Sequence, residues 1–536
     1  MLTNVHRIIN IIPVIYVVRK TDKGIIMRET KTVAQLLNNA VEKYADKDFC
    51  RYIIDGKVAA KTYREFKNDS YAVCRYIKSV SHKKRHIAFV GKTNYEYVAC
   101  LTGMIISGNV VVPFAPDISV HEATQLFADA DIDMLFCEEE FLGKAEEIKQ
   151  SYVGLRKVIS LGNHFWFEEV FNEYGDNSEH ARIQIEDAEP NDCALIIYTS
   201  GTTGDRKGVM LSHGNLAANS TYDTYKMEDD DVSFSILPMH HVFCYACDVL
   251  KTIYDGGTLC LNGNLIDLYK NILIFQPTIM RIVPAICKSM LTKIHIAERR
   301  NPVLTKREAA EMILGKNFRR MIAGSAFLSP TLIDAFEEYG ITARQGYGMT
   351  ECSPRITTSD FTEVCKYSNG KLLGVDEVRT VDGEIQVKGP SVMLGYYKRP
   401  QATKEVFTQD GYLMTGDLGY LEGDHVYLVG RKKNLIILSN GENISPEEIE
   451  NMFADYDLIK EMIVIAQDDE ITAQVYPDLT VAQLTGIEDV STEIEKLIDE
   501  VNMKMPADRQ VKKFILRETP FERTSTGKIK RQAFYY

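Results

Sequence analysis

Hydrophobic and polar positions alternate along most of the chain in a way that predicts stacked βαβ units. Apolar residues at positions 33, 36, 37, 40, 41 and 44 have helical spacing, and Asp55-Gly56 lies between two strand-like runs, as a hairpin turn would. Further along, short apolar runs alternate with helical segments, which is typical of parallel sheets covered by helices. These runs are residues 86–90, 110–113, 134–137, 158–161, 194–198, 232–237, 258–261, 278–283 and 319–323. The pattern predicts an α/β fold with a core of two stacked α/β subdomains.

The pattern changes after Glu351, where short strand-like segments and many glycines continue to about Gly430 and indicate a small β-rich subdomain. Arg431-Lys-Lys433 then predicts a hinge into a smaller α+β domain. In that domain Ser445-Pro-Glu-Glu448 has the composition of a helix start. We therefore expect a large N-terminal domain over residues 27–432 and a mobile C-terminal lid domain over residues 433–536.

Residues 1–26 are interpreted as an N-terminal extension. Residues 8–18 are apolar and flanked by basic side chains, but the run is too short to cross a bilayer and is interrupted by Asn10 and Pro13. We favour an over-long start of the chain or a docked extra strand. A peripheral membrane contact is the less favoured alternative.

Length and composition are typical of a multi-domain globular enzyme. The chain has 536 residues, of which 45% are hydrophobic, so it can bury large cores. Its net charge of −13 argues against nucleic acid as the main partner, because binding to a phosphate backbone requires a strongly basic surface. Eleven cysteines without regular spacing indicate free, reduced thiols, which favours a cytoplasmic location.

The segment Tyr198-Thr-Ser-Gly-Thr-Thr-Gly-Asp-Arg-Lys-Gly208 has the composition of a phosphate-binding loop. Its glycines allow backbone N–H groups to approach a polyphosphate, and its hydroxyls and Lys207 supply donors and positive charge. It is not a Walker loop, because Arg206 stands where the second glycine of that motif is required. The candidate phosphate-binding residues are Thr199, Ser200, Gly201, Thr202, Thr203, Gly204 and Lys207.

The same segment resembles the nucleotide loop of the adenylate-forming superfamily, which includes acyl-CoA synthetases, peptide-synthetase adenylation domains and luciferases. Each motif alone is weak, but the order of the set is specific, and the chain looks most like bacterial fatty-acyl-CoA ligases. Arg206 is a departure, since the family often has proline at that position. The further motifs are Leu237-Pro-Met-His-His-Val242, Ala323-Gly-Ser-Ala326, Gln345-Gly-Tyr-Gly-Met-Thr-Glu351, Gly383-Glu-Ile385, Thr415-Gly-Asp417, Gly430-Arg-Lys-Lys433, Gly441-Glu-Asn-Ile-Ser-Pro-Glu-Glu-Ile449 and Thr526-Gly-Lys528.

The resemblance implies a binding site for ATP. Tyr347 would stack on the adenine, beside the turn of Gly324 and Ser325. Asp417 would accept hydrogen bonds from the ribose hydroxyls, and Arg431 would support the ribose. The other positions implied in nucleotide binding are Gln345, Gly346 and Gly348.

The resemblance also implies the groups that act on the reacting atoms. An anionic carboxylate must attack an anionic phosphate, so the site must neutralise charge and hold both groups in line. Thr350 would contact the α-phosphate, and Glu351 would hold Mg²⁺, a hard cation that prefers oxygen ligands. Lys528 would bridge the carboxylate and phosphate oxygens during adenylation.

The segment His240-His241-x-x-Cys244-x-x-Cys247 has two interpretations. A zinc site is disfavoured, because structural zinc sites usually have two ligand pairs and no second pair lies nearby in the sequence. The resemblance instead places the acyl pocket here, with His241 near the substrate carboxylate and Tyr245 as a gate. Relatives that activate amino acids have an aspartate where this chain has Phe243, which favours a plain carboxylic acid, with a fatty acid as the first candidate.

The predicted reaction has two steps. An acyl-AMP forms with release of pyrophosphate, and the acyl group then passes to a thiol after the lid rotates about Lys433, which exchanges the Lys528 loop for the Gly441 loop. The acceptor is coenzyme A or, as the alternative, the phosphopantetheine arm of an acyl carrier protein. A basic run could meet either acceptor: Lys512, Lys513, Arg517 and Arg523. A luciferase-like oxidoreductase and a non-catalytic acyl- or nucleotide-binding module are more distant alternatives.

Overall fold

The structure is a computed structural model that describes residues 30–81, 83–162, 165–199, 206–222, 225–439, 441–523 and 529–534. The predicted N-terminal extension, residues 1–26, lies outside the described residues. Within these ranges no helix combines the length and the apolar character needed to cross a membrane.

The helices are distributed along the whole chain. A π-helix, Tyr245–Leu250, continues directly from α8 into α9. In chain order the α-helices are α1 Val33–Tyr44, α2 Tyr63–Val80, α3 Tyr95–Ile106, α4 Val120–Asp129, α5 Leu142–Ser151, α6 Phe165–Tyr174, α7 His213–Thr221, α8 Val242–Cys244, α9 Lys251–Asp255, α10 Leu268–Phe275, α11 Pro284–Arg300, α12 Lys306–Leu314, α13 Pro330–Glu338, α14 Pro400–Val406, α15 Pro446–Met452, α16 Leu479–Thr485 and α17 Val490–Asn502.

The strands fall into three larger and two smaller sheets. In chain order they are β1 Asp48–Ile54, β2 Lys57–Thr62, β3 His86–Val90, β4 Val110–Phe114, β5 Met134–Cys137, β6 Lys157–Ser160, β7 Cys193–Thr199, β8 Lys207–Ser212, β9 Val232–Ser235, β10 Thr258–Leu261, β11 Ile279–Ile282, β12 Arg320–Ala323, β13 Thr342–Gln345, β14 Thr357–Thr358, β15 Lys371–Leu372, β16 Glu377–Val381, β17 Glu384–Lys388, β18 Gly395–Tyr396, β19 Leu413–Glu422, β20 His425–Arg431, β21 Ile436–Ile437, β22 Asn443–Ile444, β23 Ile459–Gln467, β24 Glu470–Pro477 and β25 Lys513–Leu516.

Two seven-stranded sheets form the core of the N-terminal domain and confirm the predicted α/β layers. One has the order β13-β12-β11-β9-β10-β1-β2 and the other β18-β8-β7-β4-β3-β5-β6. Strands β9 to β13 are parallel to their neighbours, as are β3 to β7, while β2, β8 and β18 are antiparallel additions at the edges. All nine apolar runs predicted as strands are strands. The carboxyl ends of parallel strands meet at one edge, where α/β proteins bind their ligands.

The first predicted elements form as their local chemistry requires. Helix α1 begins after Thr32, whose side chain accepts a hydrogen bond from the Gln35 backbone N–H. Four of its six periodic apolar residues are buried, and Val41 and Tyr44 are partly buried against the same core. The hairpin between β1 and β2 turns at Asp55 and Gly56, with φ of 50° and 73°. Two residues with positive φ make the tight turn whose twist matches that of the strands.

A six-stranded antiparallel sheet forms the predicted β-rich subdomain, in the order β14-β15-β20-β19-β17-β16. The subdomain is joined to the preceding sheet by β18, which pairs with β8 through Gly395 opposite Met210 and Tyr396 opposite Val209. This pairing brings residues of the β-rich subdomain next to the strand that begins at Lys207.

The C-terminal domain has the predicted α+β composition. It contains the β21-β22 pair and the β23-β24-β25 sheet, with α15, α16 and α17 around an apolar core of its own. Helix α15 begins after Ser445, whose Oγ accepts a hydrogen bond from the Glu448 backbone N–H, as the sequence predicted. The Nζ of Lys288 lies 2.9 Å from a carboxylate oxygen of Asp457, so the two domains are in contact. The observed layers confirm the predicted fold class, while the mobility of the lid stays a prediction.

Candidate active site

Two predicted nucleotide turns lie side by side at the carboxyl ends of β12 and β13. Ala323 is in register with Gln345, and the Gly346 backbone N–H donates to the Ala323 carbonyl at 2.9 Å. Consequently Gly324 and Gly346 are adjacent, and a Cβ atom at Gly324 would lie 3.9 Å from the Gly346 carbonyl oxygen. Ser325 follows with a φ of 70° and is exposed. The tertiary structure thus brings together two motifs that the sequence keeps apart.

The loop after β13 is held tightly by its own backbone. A Cβ atom at Gly348 would lie only 2.0 Å from the Pro354 carbonyl oxygen, so no other residue fits without movement of the loop. Gln345 is buried, and its Oε1 accepts from the Leu328 backbone N–H at 3.0 Å. Asn219 on α7 donates to the carbonyls of Cys352 and Arg355, at 3.0 and 2.8 Å.

Tyr347 and Asp417 meet through a hydrogen bond, in which the Tyr347 hydroxyl donates to Asp417 Oδ2 at 2.8 Å. Asp417 and Arg431 face each other across β19 and β20, and Arg431 Nε lies 2.9 Å from Asp417 Oδ1. Burial, and then the Asp417 charge, raise the pKa of Tyr347 well above its usual value, so the hydroxyl keeps its proton. Each carboxylate oxygen can accept two hydrogen bonds, so this group fits a ribose diol.

Glu351 and Lys207 are linked by Tyr396. Thr350, which is half-buried, begins the 3₁₀ helix Thr350–Cys352, and this short helix buries Glu351. The Tyr396 hydroxyl donates to Glu351 Oε1 at 2.9 Å, and Lys207 Nζ lies 5.0 Å from the centroid of the Tyr396 ring. Glu351, the predicted metal ligand, and Lys207, the predicted phosphate lysine, therefore both contact the Tyr396 side chain on β18.

The structure describes the two ends of the predicted phosphate loop. Thr199 ends β7 and Lys207 begins β8, and the two residues are paired in the antiparallel register. Arg206, the departure from the family pattern, forms an ion pair with Glu122. Predicted residues that lie outside the described residues are Ser200, Gly201, Thr202, Thr203, Gly204 and Lys528.

The predicted acyl-pocket residues lie where the π-helix begins. His241 precedes α8, and the half-buried Phe243 ring lies 3.5 Å from the position of a Cβ atom at Gly324. Tyr245 is fully buried, with its hydroxyl 3.3 Å from Thr102 Oγ1. Burial, with the neighbouring His241, lowers the pKa of His240 to about 3, which keeps it neutral. A π-turn inside a helix is often found at a functional site.

The predicted hinge follows β20 directly. Lys433 is the central residue of the 3₁₀ helix Lys432–Asn434, and Lys432 Nζ lies 3.0 Å from Glu384 Oε2. Gly441 has a φ of 84°, and among the described residues no atom lies within 4 Å of a Cβ atom placed there. The described structure thus leaves space for a side chain at Gly441, while the role of this loop in a thiol channel stays a prediction.

Some site residues were missed by sequence reasoning. Tyr396 and Asn219 belong to no recognised motif, and only the strand pairing and helix packing place them at the site. Glu384 lies in the recognised string Gly383-Glu-Ile385, but its contacts with Lys432 and with the Gly416 backbone N–H were not predicted. The recognised string was the only signal for Glu384, and it assigned no role to that residue.

Asp417→Asn is expected to raise the KM for ATP by about 10–100-fold while the KM for the acid changes little, because hydrogen bonds to a charged group contribute about 1.5–3 kcal/mol. Steady-state kinetics of pyrophosphate release measure both constants. The matched control is Asp410→Asn, which breaks an exposed pair with Arg379 in the same subdomain, where the shortest N–O distance is 2.6 Å. The same ATP KM in both variants would contradict the ribose assignment.

Two family models and several known proteins match the chain. The model of the AMP-binding enzyme family matches residues 37–397, and that of the AMP-binding enzyme C-terminal domain matches residues 433–536. The chain is 31% identical over 430 residues to a 2-succinylbenzoate–CoA ligase of Bacillus cereus, which covers 77% of this chain and 82% of the relative. It is 33% identical over 313 residues to the peroxisomal long chain acyl-CoA synthetase 7 of Arabidopsis thaliana, covering 49% of this chain and only 45% of that relative.

Solved structures share the fold. The o-succinylbenzoate coenzyme A synthetase of Bacillus subtilis in complex with AMP has a TM-score of 0.73 at 24% identity, covering 93% of this chain and 97% of that chain. The anthranilate CoA ligase AuaEII in complex with anthranoyl-AMP has a TM-score of 0.78 at 18% identity, covering 94% and 96%. At this level of identity the likeness shows the fold alone.

Proposed function

Because the chain belongs to the AMP-binding enzyme family, we propose that it activates a carboxylic acid as an acyl-AMP and transfers the acyl group to coenzyme A. The family match and the ligase relatives confirm two predictions from the motifs. The chain is a member of the adenylate-forming superfamily, and it is an enzyme of the AMP-forming acid–thiol ligase type.

The observation that carries the proposal is the convergence of Tyr347, Asp417 and Arg431 beside the Gly324 turn. The Tyr347 ring lies at the edge where adenine would stack. Asp417 supplies acceptors for the ribose hydroxyls, and Arg431 is exposed enough to support the sugar. The hydroxyls and backbone N–H groups of the loop from Thr199 to Lys207 would hold the phosphates, as in other glycine-rich loops.

The residues present also fit Mg²⁺. Glu351 is a buried carboxylate whose Oε1 accepts from the Tyr396 hydroxyl, and within the described residues Oε2 is available as a hard ligand on the side of Tyr396 and Lys207. Mg²⁺ usually takes one or two protein carboxylates and completes its sphere with water and phosphate oxygens. When bound it would neutralise phosphate charge, and Glu351 would hold it in place.

The other proposed roles concern the reacting atoms. Thr350 contacts the α-phosphate from the start of its 3₁₀ helix, and His241 orients the substrate carboxylate at the start of α8. Lys528 neutralises charge between the carboxylate and the phosphate during adenylation. The lid then turns about Lys433, and the Gly441 loop replaces the Lys528 loop for transfer to the thiol.

The acid proposed is one without an α-ammonium group, because Phe243 is an aromatic side chain at the pocket entrance. An apolar ring provides no partner for an ammonium ion, and an unpaired buried charge is costly. A fatty acid was the first candidate, and 2-succinylbenzoate joins it because a relative named for that substrate covers most of this chain.

Coenzyme A is proposed as the acceptor, with a carrier-protein phosphopantetheine as the second candidate. Two structural neighbours are adenylation domains of carboxylic acid reductases, one of them solved together with its carrier domain. Part of the predicted basic surface is compensated within the lid, since Lys513 Nζ lies 2.9 Å from Glu470 and Arg523 Nη2 lies 2.7 Å from Glu461. Such a surface favours a small acceptor over a strongly acidic protein.

The test is pyrophosphate release across fatty, aryl, dicarboxylic and amino acids, with and without coenzyme A. We expect release that depends on ATP, Mg²⁺ and an acid lacking an α-ammonium group, and CoA should increase turnover and yield a thioester. Holo-acyl carrier protein in place of CoA tests the second acceptor. If no acid in the panel causes pyrophosphate release by the folded protein, the proposed function is wrong.

A further inference from the structure

Strands β9 and β11 are neighbours in the sheet that contains β12 and β13. Both carry polar side chains on a face that is usually apolar. In β9 and β11, Phe234, Met280 and Ile282 pack into one apolar core. The alternating positions Ser233 and Arg281 face the opposite way and are still buried, with 0% and 4% of their surface exposed. Strands buried on both faces usually read as continuous apolar runs, so polar residues on this inner face require a partner.

The partner is Asp248 on the π-helix, which covers that face. The Ser235 hydroxyl donates to Asp248 Oδ2 at 2.7 Å. Arg281 Nη1 donates to Ser233 Oγ at 3.1 Å and to Asp248 Oδ1 at 3.4 Å. We refer to Ser233, Ser235, Asp248 and Arg281 as the buried polar cluster.

Within the described residues, the guanidinium of Arg281 makes fewer hydrogen bonds than its nitrogens can donate. All of the hydrogen bonds that it makes within the described part of the chain leave from Nη1, although Nε and Nη2 are also donors. The 3.4 Å contact is long for a charge-assisted hydrogen bond, which is about 2.7–2.9 Å. Other pairs in this protein are tight, since Lys251 Nζ lies 2.6 Å from Asp255 Oδ2.

The cluster lies beneath the turn that contacts Phe243. Arg281 is in register with Ile322 on β12, two residues before Gly324, whose Cβ position is 3.5 Å from the Phe243 ring. At about 3.3 Å per strand residue, Arg281 is roughly 7 Å below that turn. An acid chain that lay along this face from Phe243 would therefore reach charged groups after a short distance.

The charges of the cluster favour an anionic group at that depth. An alkyl tail there would offer the remaining donors of the guanidinium no acceptor, which is costly. A carboxylate matches the planar fork of arginine and can accept from two of its nitrogens. Burial raises the pKa of Asp248 to about 6 against the opposing effect of Arg281, so Asp248 is already a poorly stabilised partner for that arginine.

Resting on the proposed function, we propose that Arg281, oriented by Ser233 and Asp248, is the specificity-determining residue of the acyl pocket and binds a second, distal carboxylate of the acid. The preferred substrate is therefore a compact dicarboxylic acid, and a plain monocarboxylic acid of the same length is a poorer one. Among acids without an α-ammonium group, this proposal favours a diacid over the fatty acid that was the first candidate from the sequence.

The experiment compares matched acids in the adenylation assay: hexanoate with adipate, and heptanoate with pimelate. Wild-type enzyme should prefer the diacid of each pair by at least about tenfold in kcat/KM, because a site that hydrogen-bonds a substrate group discriminates against analogues that lack it. The double variant Arg281→Met, Asp248→Asn leaves no uncompensated buried charge. It should lower kcat/KM for the diacid by about 10–100-fold and leave the monoacid unchanged or improved.

Two further variants separate recognition from a structural role. Arg281→Lys keeps the charge without the fork, so it should retain part of the diacid preference at a higher KM, and it serves the test if the double variant does not fold. The control is Arg75→Met, Asp176→Asn, which removes a pair with a 2.7 Å contact between α2 and the segment after α6. It should affect both members of each acid pair equally.

The outcomes are distinct. Absence of diacid preference in the wild type, or equal loss for both acids in the Arg281 variants, overturns the assignment of Arg281 and leaves the ligase function standing. Failure of every acid to release pyrophosphate defeats the proposed function itself, and this inference with it.

Discussion

Lys528→Ala is expected to slow acyl-AMP formation by about 10²–10³-fold and to leave the conversion of supplied acyl-AMP and thiol nearly unchanged. One preorganised group aimed at developing negative charge typically contributes a factor of this size. The second half-reaction is proposed to use the rotated lid, in which the Gly441 loop takes the place of the Lys528 loop. The two half-reactions therefore depend on different residues.

The measurement uses single-turnover kinetics for each half-reaction, started from ATP and acid or from synthetic acyl-AMP and CoA. The matched control is Lys530→Ala, which removes an exposed lysine two positions away whose Nζ lies 3.5 Å from Glu522. That variant should resemble the wild type in both steps. If the folded Lys528→Ala protein loses both half-reactions to the same extent, the alternating-lid mechanism is wrong for this chain.

Glu351→Gln is expected to reduce acyl-AMP formation by about 10²-fold and to raise the Mg²⁺ concentration for half-maximal rate. Glutamine keeps the shape and can still accept from the Tyr396 hydroxyl, so the change isolates the lost charge. Mg²⁺ binds carboxylate oxygens far better than amide oxygens. In the variant, the phosphates would therefore provide more of the free energy of Mg²⁺ binding.

A Mg²⁺ titration of the adenylation rate checks this expectation. Glu377→Gln is the control, because Glu377 also accepts from a tyrosine hydroxyl, that of Tyr412 at 2.8 Å, within the same β-rich subdomain. Tyr396→Phe tests the link to Lys207, since it keeps the ring under the lysine and removes the bond to Glu351. An unchanged Mg²⁺ dependence in Glu351→Gln would exclude Glu351 as the metal ligand.

The secondary structure was predictable from the sequence because its determinants are local. The spacing of apolar residues in α1, the Asp55-Gly56 turn and the Ser445 cap each depend on side chains within a few positions of one another. The order of the nucleotide motifs was equally visible, since each motif is a short string whose glycines and charged residues lie close together in the sequence.

The sequence by itself thus determined the α/β class and the family, and it predicted where the nucleotide-site residues lie along the chain. Only the tertiary structure decided that Tyr396 joins Lys207 to Glu351, since that contact requires β18 to pair with β8. Likewise, the sequence around Arg281 does not indicate a role for this residue, because its contact with Asp248 depends on how the π-helix packs against the sheet. Sheet order, register and helix packing bring distant segments together through the burial of shared surfaces, and no local pattern of residues encodes them.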